Sequence, residues 1–400
     1  MQQPLAAFQK RIDSIDVLRG IVMVIMALDH VRDFFHIHAN TDDPLNLAST
    51  TPLLYFTRFI THFCAPVFVF LSGTSIYLQS LRKTKKELST FLVKRGLWLI
   101  LIEVTLISLA ITFNPFYNFV LLQVIWAIGI SMVLMSLLVR IPFKFILALG
   151  LLIVLSHNLM DIPEAAPGFK TNFWWDLFHR GRFALYAFAP NHFIAILYPF
   201  IPWLGLMMLG YCTGIFFSPA YNSQKRQRWL SLAGIGVLAF FVVVRLINVY
   251  GDPVPWTAQQ NSLYTFLSFI KVNKYPPSLL YMSLTIGVAL LALSFLENMQ
   301  NKFTAIMRIY GRTAFFYYIL HFYVVHLLAT IVFFAKGHSM QDAIASAQNL
   351  PFLFIIPGEG FGLPVVYLVW LFAVVLLYPL CKRYDSYKTS HKEKWWLSYL

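Results

Sequence analysis

SIDVLRGIVMVIMALDHVRDFFH, residues 14–36, has the length and apolar content of a membrane span, yet it contains Asp16, Arg19, Asp29, His30, Arg32 and Asp33. A charge near the bilayer centre costs at least about 2.5 kcal/mol, and such residues usually face a water-filled or protein-lined cavity. At 3.6 residues per turn, Asp16, Arg19, Met23, Met26, His30 and Asp33 follow one another at steps of three or four. They form a single polar stripe along the helix. A spanning helix with that stripe has to be enclosed by others. The stretch therefore points to a polytopic bundle and to a reaction or transport path inside it.

The rest of the 400 residues agrees: 58% are hydrophobic and only 12% are charged, against about 25% charged in a soluble protein. The 38 Phe and 10 Trp suit lipid-facing surfaces and interfacial belts. Apolar runs of spanning length lie at 15–36, 53–80, 92–112, 115–139, 142–160, 191–217, 229–250, 276–297, 312–335 and 362–381. The expected fold is an all-α integral membrane bundle of about ten transmembrane helices.

The net charge of +14 is distributed by topology rather than gathered on a nucleic-acid face. Most Lys and Arg fall in the connections after runs 2, 4, 6 and 8, in the Lys10–Arg11 pair and in the tail from Lys382. That alternation is the positive-inside pattern and puts both termini in the cytoplasm. No nucleic-acid-binding module is present. Cys64, Cys212 and Cys381 are too few and too far apart for a disulfide framework or a zinc motif. The N-terminus lacks a small-residue cleavage site and reads as an uncleaved first helix. No internal repeat, soluble domain or low-complexity linker divides the chain, so residues 1–400 read as one membrane domain.

The longer connections lie on the outer side. Residues 161–190 hold Trp174, Trp175, His179, Arg180 and Arg182; residues 251–275 hold Trp256 and lead into Tyr275-Pro276-Pro277; residues 336–361 hold GHSMQDAIASAQNLPF. Long loops on one face often supply a site or a lid, and the Trp rings could stack on sugars or merely anchor the interface.

Arg19 and His30 are eleven residues apart, close to three turns, which sets them on one face about 16 Å apart. A guanidinium suits phosphate or pyrophosphate. An imidazole titrates near neutrality and can accept a proton from an attacking hydroxyl or amine. Asp29 or Asp33 could orient that ring. The plainer alternative is a structural ion-pair network, Asp16 with Arg19 and Asp29 with Arg32 or Asp33. His62, one turn after Arg58, should meet His30 at the same level. Pro66 should break the second helix near Cys64 and Ala65, and Ser72-Gly73-Thr74-Ser75 reads chiefly as a close helix contact. His321 sits in mid-span, whereas His326, five residues on, lies on another face. The dispersed histidines form no recognisable metal signature, and no metal is expected. Lys94 and Arg95, together with Lys83, Lys85 and Lys86, could hold a nucleotide cofactor or anionic headgroups, or serve topology alone. GEGFG at 358–362 lacks the preceding strand of a phosphate loop and reads as a turn.

RIDSIDVLRGIVMVIMALDH, THFCAPVFVFLSGTSIYL, YPFIPWLGLMMLGYCTG, KYPPSLLYMSLTIG and GRTAFFYYILHFYVVH, in that order from about residue 11 to 384, resemble bacterial relatives of the heparan-α-glucosaminide N-acetyltransferase catalytic domain. The Arg19-x10-His30 spacing is also similar to a signature of membrane acyltransferases that O-acylate surface polysaccharides. The resemblance implies a multi-pass enzyme of the bacterial inner membrane. It would move an acetyl group from cytoplasmic acetyl-CoA to an amino or hydroxyl group of a sugar or glycan on the far side. A histidine near the outer end is the family's catalytic group, and His30, His36 and His38 all answer to that description. His30 is the leading candidate, with Asp29, Asp33, His36, His62 and His321 as further catalytic candidates. Arg19, Lys94 and Arg95, with Asp16 and Ser72, are the candidate acetyl-CoA site, and the pantetheine arm would pass Met23 and Met26. A transporter or a non-catalytic envelope-assembly protein would use the same polar cavity. The acceptor's identity and the assembly state, a homodimer included, stay open.

Overall fold

The computed structural model describes residues 12–347, 351–394 and 397; the Lys10–Arg11 pair used above for topology lies outside them. In chain order the helices are α1 (Asp13–Phe35), α2 (Pro52–Ile60), α3 (Cys64–Ser80), α4 (Lys85–Ile102), α5 (Ser108–Thr112), α6 (Val124–Leu138), α7 (Phe143–Ser156), α8 (Asp161–Glu164) and α9 (Phe173–Phe178). They continue with α10 (Phe200–Thr213), α11 (Ser223–Ile247), α12 (Ser262–Ile270), α13 (Leu279–Leu296), α14 (Lys302–Arg312), α15 (Ala314–Ala335), α16 (Met340–Ser346) and α17 (Leu363–Ser390). Each of the ten apolar runs contains one of the long helical stretches. Eight of these are long and apolar enough to cross a membrane. Of the other two, α1 has the length but too many charges to be counted with them, and α6 has 15 residues.

The all-α expectation needs one correction. Strands β1 (Phe119–Leu122), β2 (Ala184–Ala189) and β3 (His192–Ile196) form a sheet of order β1-β3-β2, with β1 parallel and β2 antiparallel to β3. The apolar runs at 115–139 and 191–217 thus begin as short strands and turn helical only at Val124 and Phe200. The segment read as the connection after run 8 contains α14, a helix capped by Asn301 and Thr304 reciprocally.

α1 lies inside the bundle, packed on α3, α13, α14, α15 and α17. That enclosure is what makes its charges tolerable. Two glycine crossings bring backbones together at either side. A Cβ on Gly20 would fall 1.8 Å from the Met307 carbonyl oxygen, and one on Gly311 would fall 1.7 Å from that of Asp16. Likewise, Gly73 lies against Met207 and Gly210 against Phe70, and the Thr74 hydroxyl donates to the Gly210 carbonyl at 3.0 Å. The small polar patch in α3 is therefore a helix contact.

Pro66 acts as its chemistry requires. It has no N–H to give the carbonyl four residues back and clashes with it. Residues Thr61–Phe63 form a 3-10 turn between α2 and α3, and the His62 carbonyl accepts from the Tyr281 hydroxyl of α13 at 2.8 Å instead. In the loop after α11, fully buried Arg245 donates to the carbonyls of Val254, Ser268, Phe269 and Lys271, so it ties residues 254–271 to that helix.

Candidate functional site

A cavity of about 1710 Å³ opens among the C-terminal half of α1, the α2–α3 break, the start of β1, the β2–β3 hairpin, α15 and the segments around Lys274 and Phe352. Its charged and imidazole lining is Asp29, His30, Arg32 and Asp33 of α1, Asp42 and Asp43 of the loop that follows, Arg58 of α2, and Lys274. Phe113, Phe116, Phe119, Phe183, Phe193 and Phe352 supply apolar wall.

Five charged side chains interlock there. Asp29 accepts from Arg32 at 2.9 Å and from Arg58 at 2.6 Å, and the Lys274 ammonium stands 4.0 Å from it. Arg32 also binds Asp33 at 2.6 Å. Three cations against two carboxylates leave this cluster with one excess positive charge, while Asp42 and Asp43 line the same cavity. The ion-pair alternative raised from the sequence is thus realised in part, but its members face a large cavity rather than a closed core.

His30 is placed differently from the expectation that Asp29 or Asp33 would orient it. Asp29 is turned to Arg32, Arg58 and Lys274, since a neighbour in sequence points about 100° away on a helix, and Asp33, one turn on from His30, is held by Arg32. The ring beside His30 is that of His321, 5.2 Å away between centroids, and Phe322 lies 4.2 Å away. His321 is fully buried; its Nδ1 faces the Tyr317 carbonyl at 3.3 Å and its Nε2 has no hydrogen-bond partner. His30 and His321, 291 residues apart in sequence, therefore form one pair.

The other candidates lie elsewhere. His62 sits behind the ion cluster and lines a second cavity of about 140 Å³ with Arg58, Asp252, Lys274 and Tyr275. Neither of its ring nitrogens has a hydrogen-bond partner. Burial pushes the Asp252 carboxyl above its usual range, although it accepts from the Ser278 hydroxyl at 2.6 Å and the Asn273 amide at 2.8 Å. His36 pairs with Phe361 beyond the end of α1, its Nδ1 accepts from the His38 amide at 3.3 Å, and neither His36 nor His38 lines the large cavity. His326 bonds the carbonyls of Ala110 and Leu353 and stacks on Phe113, a packing role.

Arg19 reaches Asp16 at 3.1 Å and the Ser75 hydroxyl at 3.2 Å, while Ser72 bonds back to Phe68 of its own helix. Lys94 is exposed, and the Arg95 guanidinium lies 5.6 Å over the Phe315 ring. None of Asp16, Arg19, Ser72, Lys94 and Arg95 lines the large cavity. Met26 does, whereas Met23 is buried beneath it. Two polar regions thus occupy the two ends of α1, separated by packed side chains at Met23.

Sequence reading missed Lys274, Tyr318 and Glu103. Lys274 stands within the KYPPS segment, and Tyr318 lines the cavity from α15. Glu103, fully buried in a π-helical turn (Glu103–Ile107), accepts from the Gln123 amide at 2.9 Å. Its signal was a lone carboxylate inside an apolar run. Trp174, Trp175 and Trp256 do not line the cavity; Trp175 and Trp256 donate their indole N–H to Glu164 and to the Arg245 carbonyl.

The family profile described as heparan-alpha-glucosaminide N-acetyltransferase, catalytic, matches residues 11–246. No curated protein matches the chain. The matched stretch includes His30, Arg58 and His62, while Lys274 and His321 lie beyond it.

Proposed function

Because the chain belongs to the heparan-alpha-glucosaminide N-acetyltransferase catalytic family, we propose that it moves an acetyl group from cytoplasmic acetyl-CoA to an amino or hydroxyl group of a sugar or glycan across the membrane. Residues 1–400 act as one membrane domain of the bacterial inner membrane, with both termini cytoplasmic.

The observation behind this reading is His30 on the wall of the large cavity, at the far end of α1 from Arg19. In the proposed reaction the acceptor occupies the cavity and His30 accepts the proton from its nucleophilic N or O. That atom forms a bond to the thioester carbonyl carbon. The carbon–sulfur bond then breaks, and the CoA thiolate takes up the proton from His30. The cluster of Arg32, Arg58 and Lys274, with one cation in excess of Asp29 and Asp33, favours the oxyanion that forms in between. His321 holds His30 in place from the side opposite the acceptor, a positioning role. At the other end Arg19, Lys94 and Arg95 bind the CoA phosphates. The packing at Met23 has to open for the pantetheine arm to reach His30.

Acetyl transfer from labelled acetyl-CoA into a panel of amino sugars and glycans, in proteoliposomes, tests the reading. Loss of transfer in His30→Ala, with acetyl-CoA binding by calorimetry retained, supports it. Full transfer in a folded His30→Ala protein rejects the mechanism. Calorimetric binding that survives Arg19→Ala unchanged removes Arg19 from the donor site.

A further inference from the structure

A second cluster of ionisable side chains lies outside the cavity, where α7 ends. The helix runs on through a 3-10 turn (His157–Met160) into α8, and the chain returns through α9 to His179. Asp161 and Glu164 are three apart on the short helix and so project from the same side. One potential ligand atom from each of Asp161, Glu164 and His179 lies within 4.8 Å of the other two.

The hydrogen bonds around this cluster are those of a prepared ligand set. The Trp175 indole donates to Glu164 Oε1 at 2.9 Å, and the Asn158 amide donates to Asp161 Oδ2 at 2.6 Å. In each carboxylate the second oxygen, Glu164 Oε2 and Asp161 Oδ1, is buried and accepts no hydrogen bond. The Glu164 side chain is only 2% exposed and that of His179 is fully buried. The Arg182 guanidinium stands 3.9 Å from Glu164 Oε2, and its side chain is 41% exposed. A buried oxygen left unpaired in this way is destabilising, and a bound cation would recover that loss.

His179 has a nitrogen on each side of the question. Its Nδ1 faces Glu164 Oε1 at 2.8 Å, and its Nε2 faces His157 Nδ1 at 3.5 Å. His157 is itself buried and its Nε2 is unpartnered. When the proton sits on Nε2 and points to His157, Nδ1 presents a lone pair toward the two carboxylates. A metal-ligating histidine ordinarily donates its other N–H in this manner.

We propose that Asp161, Glu164 and His179 form a site for one divalent transition-metal ion of the zinc type. The imidazole favours such an ion over calcium or magnesium, which take oxygen ligands alone. His157, Trp175 and Asn158 hold the ligands in register from behind. The ion would fasten the end of α7 to the chain after α9. From there three residues with positive φ, Gly181, Arg182 and Phe183, lead to the wall of the large cavity at Phe183. Its role is to brace the outer layer rather than to enter the acetyl transfer, so the proposal does not depend on that function.

Full-length protein stripped with a chelator and titrated with Zn2+ alone by calorimetry tests this. One equivalent per chain should bind with a micromolar or tighter Kd, and the thermal midpoint should rise on binding. Glu164→Gln and Asp161→Asn keep the side-chain shapes and should each weaken Zn2+ binding at least tenfold, with the metal-free midpoint close to that of wild type. Co2+ in place of Zn2+ should give a visible absorption band that His179→Ala abolishes. Absence of stoichiometric binding in the wild type overturns the proposal, as does a Kd unchanged in both carboxylate variants.

Discussion

At the residue scale, the ring packed beside His30 is that of His321, and Asp29 and Asp33 are engaged by arginines. Removing the general base should lower turnover about 10²- to 10⁴-fold, so His30→Ala is expected to lose that much acetyl transfer while binding acetyl-CoA normally, read by initial rates and calorimetry. His321→Phe keeps ring volume but not the polar edge; it should lower turnover less and leave KM for acetyl-CoA unchanged. The charges of α1 stood out in the sequence because an apolar background makes any ionisable residue conspicuous. What they would touch was not legible: Asp29 meets Arg58 and Lys274, 29 and 245 positions away, and only folding sets such distances.

At the element scale, the break between α2 and α3 and the loop after α1 give separate tests. Tyr281→Phe removes the hydroxyl that satisfies the His62 carbonyl. A buried carbonyl left unpaired should cost about 1–3 kcal/mol, measured as a lower thermal midpoint. His36 sits where the Ile37 amide meets the Phe361 carbonyl at 3.1 Å and the Phe361 amide meets that of Phe35 at 2.7 Å. Burial, followed by Arg32 and His38, lowers its pKa below the ordinary 6.5. The folded state therefore prefers the neutral ring. The stability from this group is present above the unfolded value and is lost as pH falls from about 6.5 toward the folded value. Hydrogen-exchange protection factors at Ile37 and Phe361, corrected for the intrinsic pH dependence of exchange, should fall as pH drops through that window in the wild type and stay flat in His36→Gln. The long helices were legible because hydropathy over twenty residues integrates a strong signal. The sheet was not, since β1 has four apolar residues and β3 four after His192, and each runs within a few residues into the apolar helix α6 or α10. A window that long cannot separate them.

At the scale of the whole molecule, the two ends of α1 are chemically complete but not connected. With Cys64 replaced by Ser, Met26→Cys should react with a membrane-impermeant thiol reagent applied at the cavity mouth, because Met26 lines the cavity. Met23→Cys should stay unreactive until acetyl-CoA is added. Equal reactivity at both positions without donor would show that the path is always open.

The enclosure of α1 also governs how the protein can be made. This helix leaves the ribosome before the helices that enclose it, with charges that make it a poor candidate for release into lipid by itself. Much of its shelter, α13, α14, α15 and α17, is synthesised after residue 278 and lies beyond the stretch matched by the family profile. Nascent α1 must accordingly wait, held by the insertion machinery or at the interface, until the residues after 278 arrive. A ribosome stalled at residue 246 would display an α1 still open to extraction or proteolysis, and one stalled past residue 390 would not.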